Sequence, residues 1–179
     1  MSGAGAVGRP TTRGAVSLSV TGARIPERQR EEIGMGTWGI GPFEDDTAAD
    51  FAGDLDEAEP DEREKLVRRA LLRTVEAQDS LDASEAVEAV AAAALIAAQC
   101  PNGEPVTTGF GPHEALPTFA TDLRTLAAEA LGRVLAAESE LAELWDDTRD
   151  GPRWRRSVGH LREVLAPRTE PQEDALFEL

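Results

Sequence analysis

From residue 45 onward, apolar residues recur every three to four positions, the period of a helix that turns one face to a core. Ala48, Phe51, Ala52 and Leu55 predict a first helix over about 46–58. Asp45 or Asp46 is its N-cap, following the turn Gly41-Pro42-Phe43. A carboxylate there accepts a bond from an unsatisfied backbone N–H and favours the positive end of the helix dipole. Val67, Ala70, Leu71, Thr74 and Val75 stripe a second helix over about 61–79, with Glu64 four residues before Arg68 as a supporting pair. A third, over about 83–100, starts at Asp82 or Ser84 and carries alanine on almost every face around Val87, Val90, Leu95 and Ile96. Small residues all round predict a central helix that its neighbours approach closely.

Cys100-Pro101-Asn102-Gly103 stops that helix, and residues 101–117 form a long loop with four prolines and three glycines. The fourth helix is expected over about 118–137, with Phe119, Leu123, Leu126, Ala127, Ala130, Leu131, Val134 and Leu135 on one face. A short fifth spans about 139–147, with Leu141, Leu144 and Trp145. Gly151-Pro152 interrupts, and a sixth covers about 153–166 with Trp154, Val158, Leu161 and Leu165 inward. No segment alternates like a strand. The expected fold is all-α: a compact bundle of about five to six helices in one domain, residues 35–166.

Composition then removes whole classes of function. The 179 residues hold 18 basic and 34 acidic side chains, a net charge of −16. Phosphate contacts need lysine and arginine in excess, so nucleic acid is not an expected partner. No run of about 18 apolar residues exists to span a membrane. One cysteine, Cys100, rules out an internal disulfide. The charge is uneven: residues 35–60 carry eight acids and no base, whereas residues 151–166 carry four arginines and one acid.

Residues 1–34 hold five arginines and three acids and few large apolar residues. Such a segment buries too little apolar area to offset its ordering entropy, so it reads as a disordered extension. Translation is expected to start at Met35. Glu31 and Glu32 lie just upstream, and their codons can read as the purine-rich stretch of a bacterial ribosome-binding site. Abundant native peptides from residues 1–30 would refute that start. Residues 167–179 read as a short acidic tail.

Trp38 and Phe43 are large apolar anchors with no helix to carry them, set among Gly36, Gly39 and Gly41. They read as a plug between helices, or as a ligand or partner site beside a helix N-terminus. The stretch Gly36-Thr-Trp-Gly-Ile-Gly-Pro-Phe-Glu-Asp-Asp-Thr-Ala-Ala-Asp50-Phe resembles the N-terminal signature of a bacterial family catalogued as domain of unknown function 4259. Leu81-Asp-Ala-Ser-Glu-Ala86 and Leu141-Ala-Glu-Leu-Trp145 are similar to family patterns too. The resemblance covers about residues 35–166. It implies a small helical domain and supports Met35 as the start, and it implies no activity. Asp45 stands where many relatives have Asn, and Phe51 where Trp is common; both keep the capping and packing chemistry.

Catalytic and metal-binding chemistry find little support. Asp46, Asp50 and Asp54 share one helical face and could ligate a divalent ion through oxygen. Such sites draw ligands from more than one element, so a solvated acidic face is expected instead. His113 sits in the loop beside Glu114. His160 follows Ser157 by three residues, with no nucleophile turn. Cys100 meets the negative end of a helix dipole, which disfavours a thiolate, and reads as a buried structural residue. Phe110 between two glycines, with Pro112-His113, forms a recognition edge near the Trp38 segment, or Phe110 and Leu116 merely pin a wrap-around connection; the two readings are balanced. No catalytic residue, cofactor or metal ligand is therefore expected. The candidate functional surface is Trp38, Gly39, Gly41, Phe43, Asp45, Asp46, Asp50, Phe110 and His113.

The leading reading is a cytoplasmic, non-catalytic interaction protein. Its acidic surface would meet a basic protein partner, as an immunity-type protein covers a toxin's basic active site. The alternative is a small-ligand sensor or enzyme with its site between the Trp38–Asp50 segment and loop 101–117. A homo-oligomer, pairing the arginine-bearing sixth helix with a neighbour's acidic segment, is a third option.

Overall fold

A computed structural model of the chain describes residues 36–37 and 39–166. The N-terminal extension, the acidic tail and the plug residue Trp38 lie outside the described residues. Six helices follow in order: α1 (Asp46–Glu57), α2 (Pro60–Glu76), α3 (Ala83–Ala98), α4 (Asp122–Val134), α5 (Glu140–Asp146) and α6 (Gly151–Leu165). Among the described residues, extended pairing is limited to isolated bridges between Thr37 and Asp45 and between Leu81 and Ser139. The all-α expectation holds.

Helix starts follow local chemistry. Asp45 is in an extended conformation and its side chain accepts the Thr47 N–H at 2.8 Å, so it, not Asp46, caps α1. Asp82 caps α3 through Ser84 N–H, and Ser139 caps α5 through Ala142 N–H. Pro60 and Pro152 sit in the first turns of α2 and α6, where a missing N–H costs nothing.

α3 is the axis of the bundle. Every residue from Ala89 to Ala97 is buried, and the helix packs against each of the other five. Methyl side chains let five neighbours reach one backbone, and larger residues on those neighbours fill the space between. Leu55 of α1, Val67 and Leu71 of α2, Leu123 and Leu131 of α4, and Val158 and Leu165 of α6 supply that filling. The α5–α6 corner adds a stacked pair, Trp145 and Trp154, with ring centroids 5.6 Å apart and planes 10° from parallel.

α4 is shorter than its apolar stripe predicts, running from Asp122 to Val134 rather than 118–137. At its start, the Gln99 side chain donates to the Pro117 carbonyl at 2.9 Å and accepts the Phe119 N–H at 3.0 Å. That clamp keeps residues 117–119 out of the helix while Phe119 is still buried. At its end, Leu81 donates to Glu138 O at 2.8 Å and accepts from Glu140 N at 3.0 Å. α6 begins earlier than expected, at Gly151, where a Cβ would lie 2.3 Å from the Trp145 carbonyl oxygen.

Candidate functional site

The segment before α1 is a tight polar knot. Thr37 Oγ1 donates to the buried Asp45 carboxylate at 2.6 Å, while the other Asp45 oxygen holds the α1 cap. Glu44 folds back to accept the Gly41 N–H at 2.9 Å. A Cβ on Gly39 would lie 2.2 Å from that same carboxylate, and one on Gly36 1.7 Å from the Asp46 carboxylate. Glycine is therefore used here for close side-chain approach. Phe43 is buried in the core, as the plug reading requires of it.

Between this knot and α6 opens a cleft of about 320 Å³. Ile40, Pro42 and Phe43 form one wall, and residues 103–108 of the loop form another. Ala94 and Ala97 of α3 contribute small apolar surface. The third wall is α6, through Ser157, His160, Leu161 and Val164. A second, much smaller space of about 20 Å³ lies beside Gly39, Gly41, Asp45 and the Trp145–Trp154 pair. The cleft thus forms where the 36–50 segment meets the loop. Its α6 wall goes unpredicted, because a single inward stripe on that helix leaves Val164 unassigned. His160 Nδ1 lies 3.9 Å from a Glu163 oxygen, beyond hydrogen-bond distance, and both side chains are mostly exposed.

Phe110 and His113 do not line the cleft. Phe110 is half-exposed at the loop tip. His113 is held at the far end of α1 by Asp56, which accepts its backbone N–H at 2.9 Å and that of Glu114 at 2.9 Å. Partial removal from water raises the Asp56 carboxyl. The N–H groups of Glu114 and His113, with the His113 ring, outweigh this and bring it below the ordinary range.

The buried Arg63 completes this attachment. Its guanidinium donates to Leu55 O, Ala58 O and Ala115 O, tying the α1–α2 turn to the loop. Together with Gln99, these residues pin the loop from residue 113 to 119. Gly103 fixes its other end, where a Cβ would meet the Ala97 carbonyl oxygen at 1.7 Å. The side chains that hold this half of the loop are Asp56, Arg63 and Gln99, whereas Phe110 is exposed at its tip.

The acids of α1 divide in two. Asp45 and Asp56 are engaged with backbone, whereas Asp46, Asp50 and Asp54 line the exposed face. Among the described residues, no three His, Cys, Asp or Glu side chains converge as a metal site. No described helix is long and apolar enough to cross a membrane.

Comparison with curated proteins and with solved structures finds no match. The family described as domain of unknown function (DUF4259) matches residues 36–157, from the glycine-rich knot through the middle of α6. That match takes in the α1 cap, the central alanine helix and the tryptophan pair, and the chain belongs to the DUF4259 family.

Proposed function

We propose that the chain is a cytoplasmic, non-catalytic interaction module whose acidic α1 face docks a basic protein partner. The observation carrying this reading is the exposed row Asp46, Asp50 and Asp54, extended by Glu57 and Glu59. None of these five has a cation within ion-pair distance among the described residues, whereas Glu62, Glu64, Asp122 and Asp146 do. Unneutralised carboxylates gathered along α1 and the turn that follows it raise the encounter rate with a positively charged surface and repel phosphate backbones. An immunity-type role, covering the basic active site of a toxin, is the specific form proposed. The sensor-or-enzyme alternative asks for polar groups converging on the cleft. Asp45 is bonded into the knot, the Asp46 carboxylate lies against Gly36, neither lines the cleft, and His113 is held by Asp56.

The test is co-expression with the products of the adjacent genes, followed by calorimetry at low and high salt. A bound partner should be basic and lose affinity as salt rises. The triple variant Asp46→Asn, Asp50→Asn, Asp54→Asn should weaken it by about tenfold, the sum of three modest surface pairs. Unchanged affinity in a triple variant that melts like the parent overturns the reading, as does failure of every adjacent product to bind.

A further inference from the structure

Among the described residues, the glycines within helices are Gly53, Gly132, Gly151 and Gly159. Glycine inside a helix is less stable than alanine, so its presence asks for a reason. A Cβ at Gly132 would meet the Arg162 guanidinium, and one at Gly151 the Trp145 carbonyl oxygen. A Cβ at Gly53 or at Gly159 would meet nothing within 4 Å. Packing within the described residues therefore gives no use for these two. What a bare point on a helix does permit is close approach by another backbone.

Each of the two lies in a helix face of one charge. Asp50 stands one turn before Gly53 and Glu57 one turn after it. Arg156 and Arg162 bracket Gly159 in the same way, three residues to either side. All four charged side chains are exposed, and none makes an ion pair among the described residues.

The arginines are also placed against their own helix. α6 has no acid from Gly151 to Arg162, and Arg153, Arg155 and Arg156 crowd its first turns, the positive end of the helix dipole. Of these three only Arg155 is engaged, by Asp146. In a chain with 34 acids and 18 bases, exposed arginines gathered without a carboxylate point to an acidic surface that the residues around them do not supply. The chain carries such a surface on α1, with its own bare glycine at the centre. Both helices are fixed to α3, so within one chain the two faces cannot move together.

We propose that the α6 face around Gly159 docks the α1 face around Gly53 of a second copy, arginines against carboxylates, with the two helix backbones in close approach. The inference shares the α1 face with the reading above but does not rest on it. Its occupant is the chain itself, and a foreign basic protein would compete for the same carboxylates.

The experiment is sedimentation equilibrium on the full chain. The expected mass rises with concentration at low salt and returns to that of one chain at high salt. Asp50→Arg with Glu57→Arg, and Arg156→Glu with Arg162→Glu, should each remain single chains, because like charges then face each other. An equimolar mixture of the two should associate again, since each supplies the sign that the other has lost. Gly159→Leu keeps every charge and sets its Cβ in open space. It should unfold at a urea midpoint no lower than the parent's and yet stay single. A parent chain that is single at low salt, a mixture that fails to associate, or association that survives Gly159→Leu overturns the proposal. The Gly159→Leu chain keeps its α1 carboxylates, so binding of a foreign basic protein to it tests the earlier reading separately.

Discussion

Arg63 Nε donates to the carbonyl oxygens of Leu55 and Ala58 at 2.9 and 3.1 Å, and Nη1 donates to the Ala115 carbonyl oxygen at 2.6 Å. The first two carbonyls lie at the C-terminal end of α1, where intrahelical partners run out. A single planar fork satisfies them and a loop carbonyl 52 residues away. Arg63→Ala leaves these acceptors unpaired and opens a hole beneath the loop. We expect a loss of about 2–4 kcal/mol in urea unfolding. Arg63→Lys should recover only part of it, because one ammonium cannot follow the fork's geometry. A wild-type midpoint in Arg63→Ala would refute the assignment. Nothing local announces this role: Asp61-Glu62-Arg63-Glu64 reads as solvated charge. Asp56 and Gln99 are equally silent in sequence, since each answers to backbone more than ten residues distant.

At the scale of the element, α3 shows how far local pattern carries. Its alanine-rich surface alone predicts a central position, because only a helix approached on all sides gains from having no bulk anywhere. Replacing Ala93 by Leu adds three carbons where the side chain is fully buried. Ala93→Leu should destabilise by about 1–3 kcal/mol through overpacking, read as a lower urea midpoint with unchanged helical dichroism. Helix identities were legible for the same reason: apolar spacing is a local property. The ends of α4 were not, because the Gln99 amide and the Leu81 backbone displace them from afar. For the candidate site, close approach at 36–41 was legible from the glycines and the burial of Phe43 from its size, whereas the Thr37–Asp45 and Gly41–Glu44 bonds were not. Two walls of the cleft, the 40–44 segment and the loop, were already paired on sequence, but its α6 wall was not, since that depends on how the helix is rolled against α3. The sequence left His113 between a recognition edge near the Trp38 segment and a pinned connection, because the Asp56 carboxylate that holds its backbone N–H lies 57 residues away.

For the whole molecule, the net charge of −16 makes stability a function of pH and salt. Two opposed groups of carboxyls set the signs. Glu88 is partly buried, and its removal from water raises its pKa despite the Arg73 guanidinium, with Asp54 and Glu85 adding to the rise. A raised carboxyl burdens the fold when ionised, so its cost grows as pH climbs above the ordinary 4.5 and vanishes below it. Asp56 and Asp82 run the other way. Desolvation raises Asp56, but backbone N–H groups more than reverse it, and Ser84 lowers Asp82 through its hydroxyl and N–H. Their contribution is complete above the ordinary 3.8 and disappears as pH falls through their lowered values. Stability should therefore rise as pH drops from 7 toward about 4.5, then fall steeply in stronger acid. Salt should flatten the first limb by screening the repulsion among exposed acids, since the Debye length is about 10 Å at 0.1 M. Glu88→Gln isolates one side chain within this profile. It should unfold at a higher urea concentration than the parent at pH 7 and at the same concentration near pH 4, where Glu88 is already protonated. Equal midpoints at pH 7, or a loss there, would show that the Arg73 pair outweighs the burial of Glu88. The acid-side maximum would then have to come from the surface charge alone.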